Sequence, residues 1–276
     1  MAGEGYRSGF FVNRRGRRLF YAADGRACAG THADPVWILC SPTLEEKTVS
    51  HAVCRHLARA IAGNGGRVLR VDYEGHGDSE GDVSELGLDD WVDDVVDAAL
   101  FVAGGAARPV SLLGVRAGAL IAAAAARHVD TASLVAVCPV LSGADYLNDL
   151  LRINLTVQLA VHKGVRCGRP TLVAALERGA TVNVLGWEIG GALARTLREA
   201  RFPALVDGLR CPIAVIDLQR ADDGPARAAV AAPDHGPRVV TRRVAGAPFW
   251  DDPKVIDPAP AALTHAVVEA TCGMPQ

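Results

Sequence analysis

The sequence predicts an α/β fold: a mostly parallel central sheet, helices on both faces, and a helical segment inserted late in the chain. Three observations carry this. Short β-branched runs alternate with longer stretches of helical periodicity, as strand–helix–strand units do. The 276 residues are 50% hydrophobic and 22% charged, enough for a sizeable core. One stretch, from Val140 to Cys211, breaks the alternation with helical patterns alone.

The elements follow in order. Arg18–Ala22 and Val36–Cys40 read as strands. Thr48–Ala62 reads as a helix, with Val49, Val53, Leu57 and Ile61 on one face. Gly63-Asn64-Gly65-Gly66 stops it, and Arg67–Val71 is a short strand. Asp89–Val102 is a helix with two acids near its start, where the dipole favours them. Its buried stripe is Trp91, Val95 and Ala98 or Ala99. Pro109–Leu113 is the next strand, and Gly118–His128 a helix so rich in alanine that it must pack closely. Ser133–Pro139, Pro212–Leu218 and Arg238–Val244 are further strands, and Ala261–Thr271 closes the chain as a helix. The insertion, residues 143–205, carries helices at Tyr146–Val161, Leu172–Arg178 and Gly191–Arg201. It reads as a lid over the sheet within one domain spanning 1–276.

Composition also excludes. A net charge of 29 − 31 = −2 lacks the basic face of a nucleic-acid binder. No apolar run reaches the roughly 20 residues of a membrane span, and Met1–Arg18 has no apolar signal-peptide core. The seven cysteines lack CxxC spacing. Cys40, Cys138 and Cys211 fall in or beside apolar strands, as reduced buried thiols of a cytoplasmic protein do. Neither a metal nor another cofactor is expected.

The chemistry concentrates where a strand runs into Gly114-Val115-Arg116-Ala117-Gly118 and then the alanine-rich helix. A strand-to-helix turn of the form G-x-X-x-G is a nucleophile elbow: small residues permit the sharp turn, and the central side chain projects into the pocket. The next backbone N–H, that of Ala117, points at a developing oxyanion. The central residue is Arg116, whose guanidinium stays protonated and cannot act as a nucleophile. Upstream, a strand leads into Asp72-Tyr73-Glu74-Gly75-His76-Gly77-Asp78-Ser79. This resembles the G-x-G-x-S turn of the α/β-hydrolase superfamily, and the order of strand, turn, helix, strand and elbow agrees with that fold.

The resemblance extends to the hydrolase-like proteins associated with the exosortase A system, beside the serine aminopeptidase-like branch. Ser41-Pro42-Thr43-Leu44-Glu45-Glu46-Lys47 is similar to their Pro-Phe-x-Glu-Glu oxyanion-loop segment. Gly-Val-Arg-Ala-Gly resembles their Gly-Leu-Arg-x-Gly elbow. Cys138–Gly143, Leu185–Ile189 with Ala192–Arg195, and Pro248-Phe249-Trp250 resemble their later motifs. Thr43 stands where those proteins carry Phe, and His76 where they often carry Cys. The resemblance implies a place in a biosynthesis or polysaccharide-export cluster.

In this fold a triad runs Ser, acid, His along the chain. Asp217, Asp222 and Asp223 follow the right strand for the acid, with Asp222 or Asp223 best placed. No His stands in Val244–Trp250, directly after the last strand; Ala247 or Pro248 fills its slot. His235 reads as a loop residue and His265 as a surface one. The remaining candidates are Glu45 and Glu46, one an acid–base carboxylate or partner of Arg116, and His76 as a base. Cys40 or Ser41 is a candidate replacement nucleophile, Cys40 needing a nearby cation to lower its pKa; Ala117, Ser41, Cys40 and Trp250 are the candidate substrate contacts. Trp187, Phe249 and Trp250 line the lid or core.

Two functions follow. In one, Arg116 grips the anionic group of an acyl, ester or carboxylate-bearing small molecule, and a carboxylate or histidine moves protons. In the other, the fold is catalytically inactive and serves as a binding or accessory protein.

Overall fold

Successive side chains of a strand point to opposite faces, and in this chain both faces are covered. In the computed structural model, which describes residues 5–25, 36–104, 108–219, 239–251 and 257–273, eight strands form one sheet. Along the chain come β1 (Arg7–Val12), β2 (Arg18–Asp24), β3 (Val36–Cys40), α1 (Leu44–Gly63), β4 (Val68–Val71) and α2 (Leu88–Ala103). Then follow β5 (Val110–Val115), α3 (Ala117–Ala125), β6 (Thr131–Val137) and the insertion. That comprises α4 (Gly143–His162), α5 (Arg169–Glu177), β7 (Val182–Val184), β8 (Trp187–Ile189), α6 (Gly191–Glu199) and α7 (Phe202–Val206). The chain ends with β9 (Ile213–Gln219), β10 (Val239–Ala245) and α8 (Ala261–Gly273).

The spatial order is β1-β2-β4-β3-β5-β6-β9-β10. Only β2 runs against its neighbours; every pairing from β4 to β10 is parallel. Leu113 and Val115 of β5 face a core shared with Val53, Leu57 and Ile61 of α1 and Leu263 and Val267 of α8. Leu112 faces the opposite core, with Trp91, Val95 and Ala98 of α2, the alanines of α3 and the insertion. The expected mostly parallel sheet with helices on both faces is present.

Three local differences have physical reasons. α1 begins at Leu44 rather than Thr48, because Thr43 is extended and Glu45 and Glu46 fill the first turn, where the dipole favours carboxylates. Strand β1 pairs only with β2, and most of its side chains face solvent, so its sequence shows no alternation. The β7–β8 hairpin turns through Leu185 (φ 52°) and Gly186 (φ 93°), the two positive values of a type I′ turn. Leucine is an unusual first residue there and hides the turn.

The β1–β2 turn is clamped to α2. Arg15 pairs with Glu74, Asp90 and Asp94 at 2.8, 2.7 and 3.1 Å. Asp94, fully buried, also accepts from the Asn13 amide and the Glu74 N–H. Burial pushes its carboxyl up to about 6, against the pull of these donors. Among the described residues, no helix is long and apolar enough to cross a membrane.

Candidate active site

Arg116 sits between β5 and α3 at φ 55°, ψ −124°, a conformation that L-residues adopt only under constraint. The constraint is close packing. A Cβ on Gly114 would lie 2.4 Å from the Ala119 Cα, and one on Gly118 would lie 2.1 Å from the Cys40 carbonyl oxygen. The two glycines let α3 press on its own strand and on the end of β3, and the chain between them has to turn sharply. The Arg116 N–H donates to Val137 O of β6 and its carbonyl accepts from Ala119 and Val140, which locks the turn. Ala117 opens α3, so its N–H is among the first-turn donors without a helical acceptor.

The Arg116 guanidinium is held on three sides. Nε and Nη2 donate to the two Glu46 oxygens at 3.3 and 3.0 Å, and Nη1 donates to the Cys138 carbonyl at 3.2 Å. The Trp250 ring lies 4.1 Å from the guanidinium carbon, a cation–π contact. Trp250 in turn meets the buried Phe249 edge-on, so β10 and α8 fix one wall. Glu46 and Arg116 side chains are 15% and 18% exposed. Burial raises the Glu46 carboxyl above its ordinary value against the pull of Arg116, and Asp251 and Asp149 push it the same way as burial. Burial opposes the Arg116 charge, but Glu46 outweighs it and holds the guanidinium more firmly charged.

The loop from β3 to α1 forms the opposite wall. The Tyr73 hydroxyl donates to Ser41 O at 3.1 Å, and the Leu44 N–H donates to His76 Nε2 at 3.1 Å. Leu44 itself is at φ 55°, so His76 holds a strained residue next to the α1 N-terminus. His76 Nδ1 faces Glu74 O at 3.3 Å, which makes it the protonated nitrogen. The ring stacks on Trp187 of the insertion and meets Trp91 and Tyr73 edge-on.

These contacts bear on two candidates. Both His76 nitrogens are engaged, and burial pushes its pKa down to about 3, which disfavours the protonated form a base would pass through. The Cys40 thiol is fully buried, as expected of an apolar strand, and burial pushes it up to about 12, with only Tyr73 pulling against this, which disfavours the thiolate. Of the two neighbouring glutamates, Glu46 reaches Arg116; Glu45 lies half-buried in the same turn. Ser41 contributes its carbonyl to Tyr73. Asp217 lies half-buried on β9, and His265 is an exposed partner of Glu269. Asp222, Asp223 and His235 lie outside the described residues. No group of three or more His, Cys, Asp or Glu among the described residues could hold a metal ion.

One residue of the site escaped the sequence. Tyr146, in the first turn of α4, is buried with its hydroxyl near Thr43, Glu46 and Arg116. Its apolar helical spacing marks it as core, and only the fold brings it to the elbow.

The neutrality of His76 has a measurable consequence. Unfolded, it gains a proton as pH falls through about 6.5; folded, it does so only near 3. Its contribution is therefore whole above 6.5 and is lost between 6.5 and 3, at up to about 1.4 kcal/mol per pH unit. Asp94, raised to about 6, works in the opposite sense, so a difference measurement isolates the histidine. Urea unfolding of wild type and His76→Gln at pH 7, 5 and 4 should show their gap narrowing as pH falls. A gap independent of pH would contradict the neutral, buried ring.

Residues 49–184 match the family described as serine aminopeptidase, S33. No curated protein matches the chain. Three solved structures superpose over nearly their whole length. Est1E from Butyrivibrio proteoclasticus, with ferulic acid bound, has a TM-score of 0.63 at 14% identity, over 96% of this chain and 98% of that one. A putative hydrolase from Agrobacterium vitis S4 also has 0.63, at 15% identity over 99% and 100%. The Pyrococcus furiosus esterase PF2001 has 0.63 at 13% identity over 98% and 92%. This is an α/β-hydrolase fold. Within it, ligands bind at the carboxyl ends of the parallel strands. The α/β-hydrolase elbow, the β3–α1 loop and the segment after β10 all meet there, at Arg116.

Proposed function

We propose that this α/β-hydrolase-fold protein binds a small acyl or carboxylate-bearing molecule at Arg116 and does not perform serine–histidine hydrolysis. The observation that carries the reading is the arginine at the strained elbow, clasped by Glu46 and covered by Trp250. A nucleophile at that point would need a histidine beside it, and an indole stands there instead. The triad is then degenerate at two positions, with Arg116 for the serine and, directly after β10, Ala247 and Pro248 where a histidine would stand. The insertion between β6 and β9 is the lid over this ligand. Its Trp187 stacks on the histidine that holds the β3–α1 loop. The motifs resembling exosortase-associated proteins support an accessory role in a biosynthesis or export cluster, inside the cytoplasm.

A second reading, with Glu46 moving protons for a bound ester or thioester, rests on the raised pKa of its carboxyl. One experiment separates the two. Esters and thioesters of short to long acyl chains are assayed with wild type, Arg116→Ala, Glu46→Gln and the double variant, beside thermal shifts with the matching fatty acids and amides. The binding reading expects no turnover above background, and a ligand-induced rise in Tm that the double variant lacks. Turnover lost in both single variants would select the Glu46 reading. Equal Tm rises in wild type and double variant would remove Arg116 from the ligand site.

A further inference from the structure

One edge of the sheet is open. β1 ends the strand order, and among the described residues nothing pairs with its far side. Which of its backbone groups point outward follows from β2. The Phe20 N–H donates to Ser79 Oγ and its carbonyl accepts from the Asp72 N–H. The Arg18 N–H donates to the Glu80 carboxylate and its carbonyl accepts from the Glu80 N–H. Phe20 and Arg18 stand opposite Phe10 and Val12, and both turn their backbone groups away from β1. Bonded and non-bonded pairs alternate in an antiparallel ladder. Phe10, Val12 and, two residues earlier, Ser8 therefore each direct a donor and an acceptor out of the sheet. The Asn13 N–H donates to Arg17 O, which fits the same alternation.

The side chains at this edge are apolar. Phe10 and Val12 are 45% and 64% exposed, and Leu100 and Phe101 at the end of α2 are 64% and 42% exposed. Phe101 stacks on Phe11, which places that end of α2 beside β1. After Arg7 the strand carries no charge of its own; the Arg18 guanidinium covers the Phe10 ring at 4.4 Å. The far edge of the sheet differs, since β10 carries the exposed Arg242 and Arg243. Charges on an edge discourage a further strand, and an apolar edge with free backbone groups invites one. Only an extended segment fits it, and β1 fits itself. A two-fold axis perpendicular to the sheet reverses the strand and keeps its faces. With Phe10 opposite Phe10 of the second copy, Ser8 meets Val12 and every outward backbone group of β1 is paired. Arg7 then faces Asn13 of the second copy, and the next residue, Arg14, is held by Asp93 and Asp97. No like charges are opposed along the joint.

We propose that two copies of this chain join antiparallel through β1 into one continuous sheet, with Leu100 and Phe101 of both copies flanking the joint on one face. The contact uses the same patch on each copy and closes at two, because the charged β10 edge cannot extend it. β1 lies four strands from β5, about 19 Å, so the joint leaves the Arg116 site of each copy untouched.

The test is sedimentation velocity of the full chain across micromolar concentrations, with wild type beside Phe10→Lys. Wild type should sediment as two chains. Phe10→Lys sets two lysines opposite each other at the axis and should weaken the dimer by about a hundredfold or more. A second variant fixes the register without a charge. In Ser8→Cys/Val12→Cys the opposed Cα atoms of a bonded pair lie about 5.5 Å apart, within disulfide reach. Mild oxidation should link position 8 of one chain to position 12 of the other, as read by peptide mapping, and neither single variant should link there. A dimer that Phe10→Lys leaves intact, a dimer without the 8–12 link, or species larger than two chains would overturn the proposal. So would a wild-type monomer at about 100 µM, which would give the edge to an extended segment of another protein.

Discussion

Arg116→Ala will lower folding stability by about 3 kcal/mol at pH 7, and adding Glu46→Gln will return most of the loss. Breaking a buried ion pair costs about 3–5 kcal/mol, because the surviving charge is left unpaired in a low dielectric. The 15–18% exposure of this pair puts the effect at the lower end. Glu46 is already raised by burial, and without Arg116 it rises further. A carboxyl raised in the folded state contributes stability at low pH that is lost as pH rises through its folded value. The deficit of Arg116→Ala therefore shrinks as pH falls from 7 to 5, and that of the double variant does not. Urea unfolding of the two single variants and the double one at both pH values closes the cycle. Additive single effects, or a deficit indifferent to pH, would mean that the pair is solvated and carries little coupling. The cycle also determines how ligand experiments are read: a destabilised Arg116→Ala protein that binds nothing says little, whereas the double variant tests the guanidinium in a folded protein.

The elbow was legible because its requirements are local. Two glycines four apart, a β-branched run before and alanines after encode a sharp strand-to-helix turn, and that turn fixes where Arg116 points. The two cores were legible for a similar reason, since periodicity reports which side chains face inward. The role of His76 was not, because chemistry near a strand end depends on depth. It sits at the right place along the chain but is buried to the point where the charged form is disfavoured, whereas the burial of Cys40 followed from its apolar strand. Tyr146 shows the converse. Its spacing on α4 is that of a core residue, and a long connection through β6 brings it to Glu46. Partnership across elements is a property of the packed fold, and local pattern does not contain it. The same holds for Trp250: an aromatic after the last strand reads as core or wall, and only the 4.1 Å contact makes it a cover for the guanidinium.

The second large effect is expected at Gly118. A Cβ there would sit 2.1 Å from the Cys40 carbonyl oxygen and 2.4 Å from that of Ser41, and backbone atoms cannot swing aside as a side-chain tip can. Gly118→Ala must push α3 away from β3, at a cost above about 3 kcal/mol. The displaced segment leads through Thr43 into the first turn of α1, so the push also moves Glu46 relative to Arg116. Stability and ligand-induced Tm shift should therefore fall together. Gly63→Ala is the control. It lies at the end of α1 with nothing within 4 Å of the new methyl, and replacing a helical glycine by alanine stabilises by about 0.5–1 kcal/mol. Were Gly118→Ala as stable as wild type, the close approach of α3 to β3 would not be what holds Arg116 in its strained conformation. The elbow would then owe its shape to the Arg116–Glu46 clasp itself, and Glu46→Gln would be the variant that releases it.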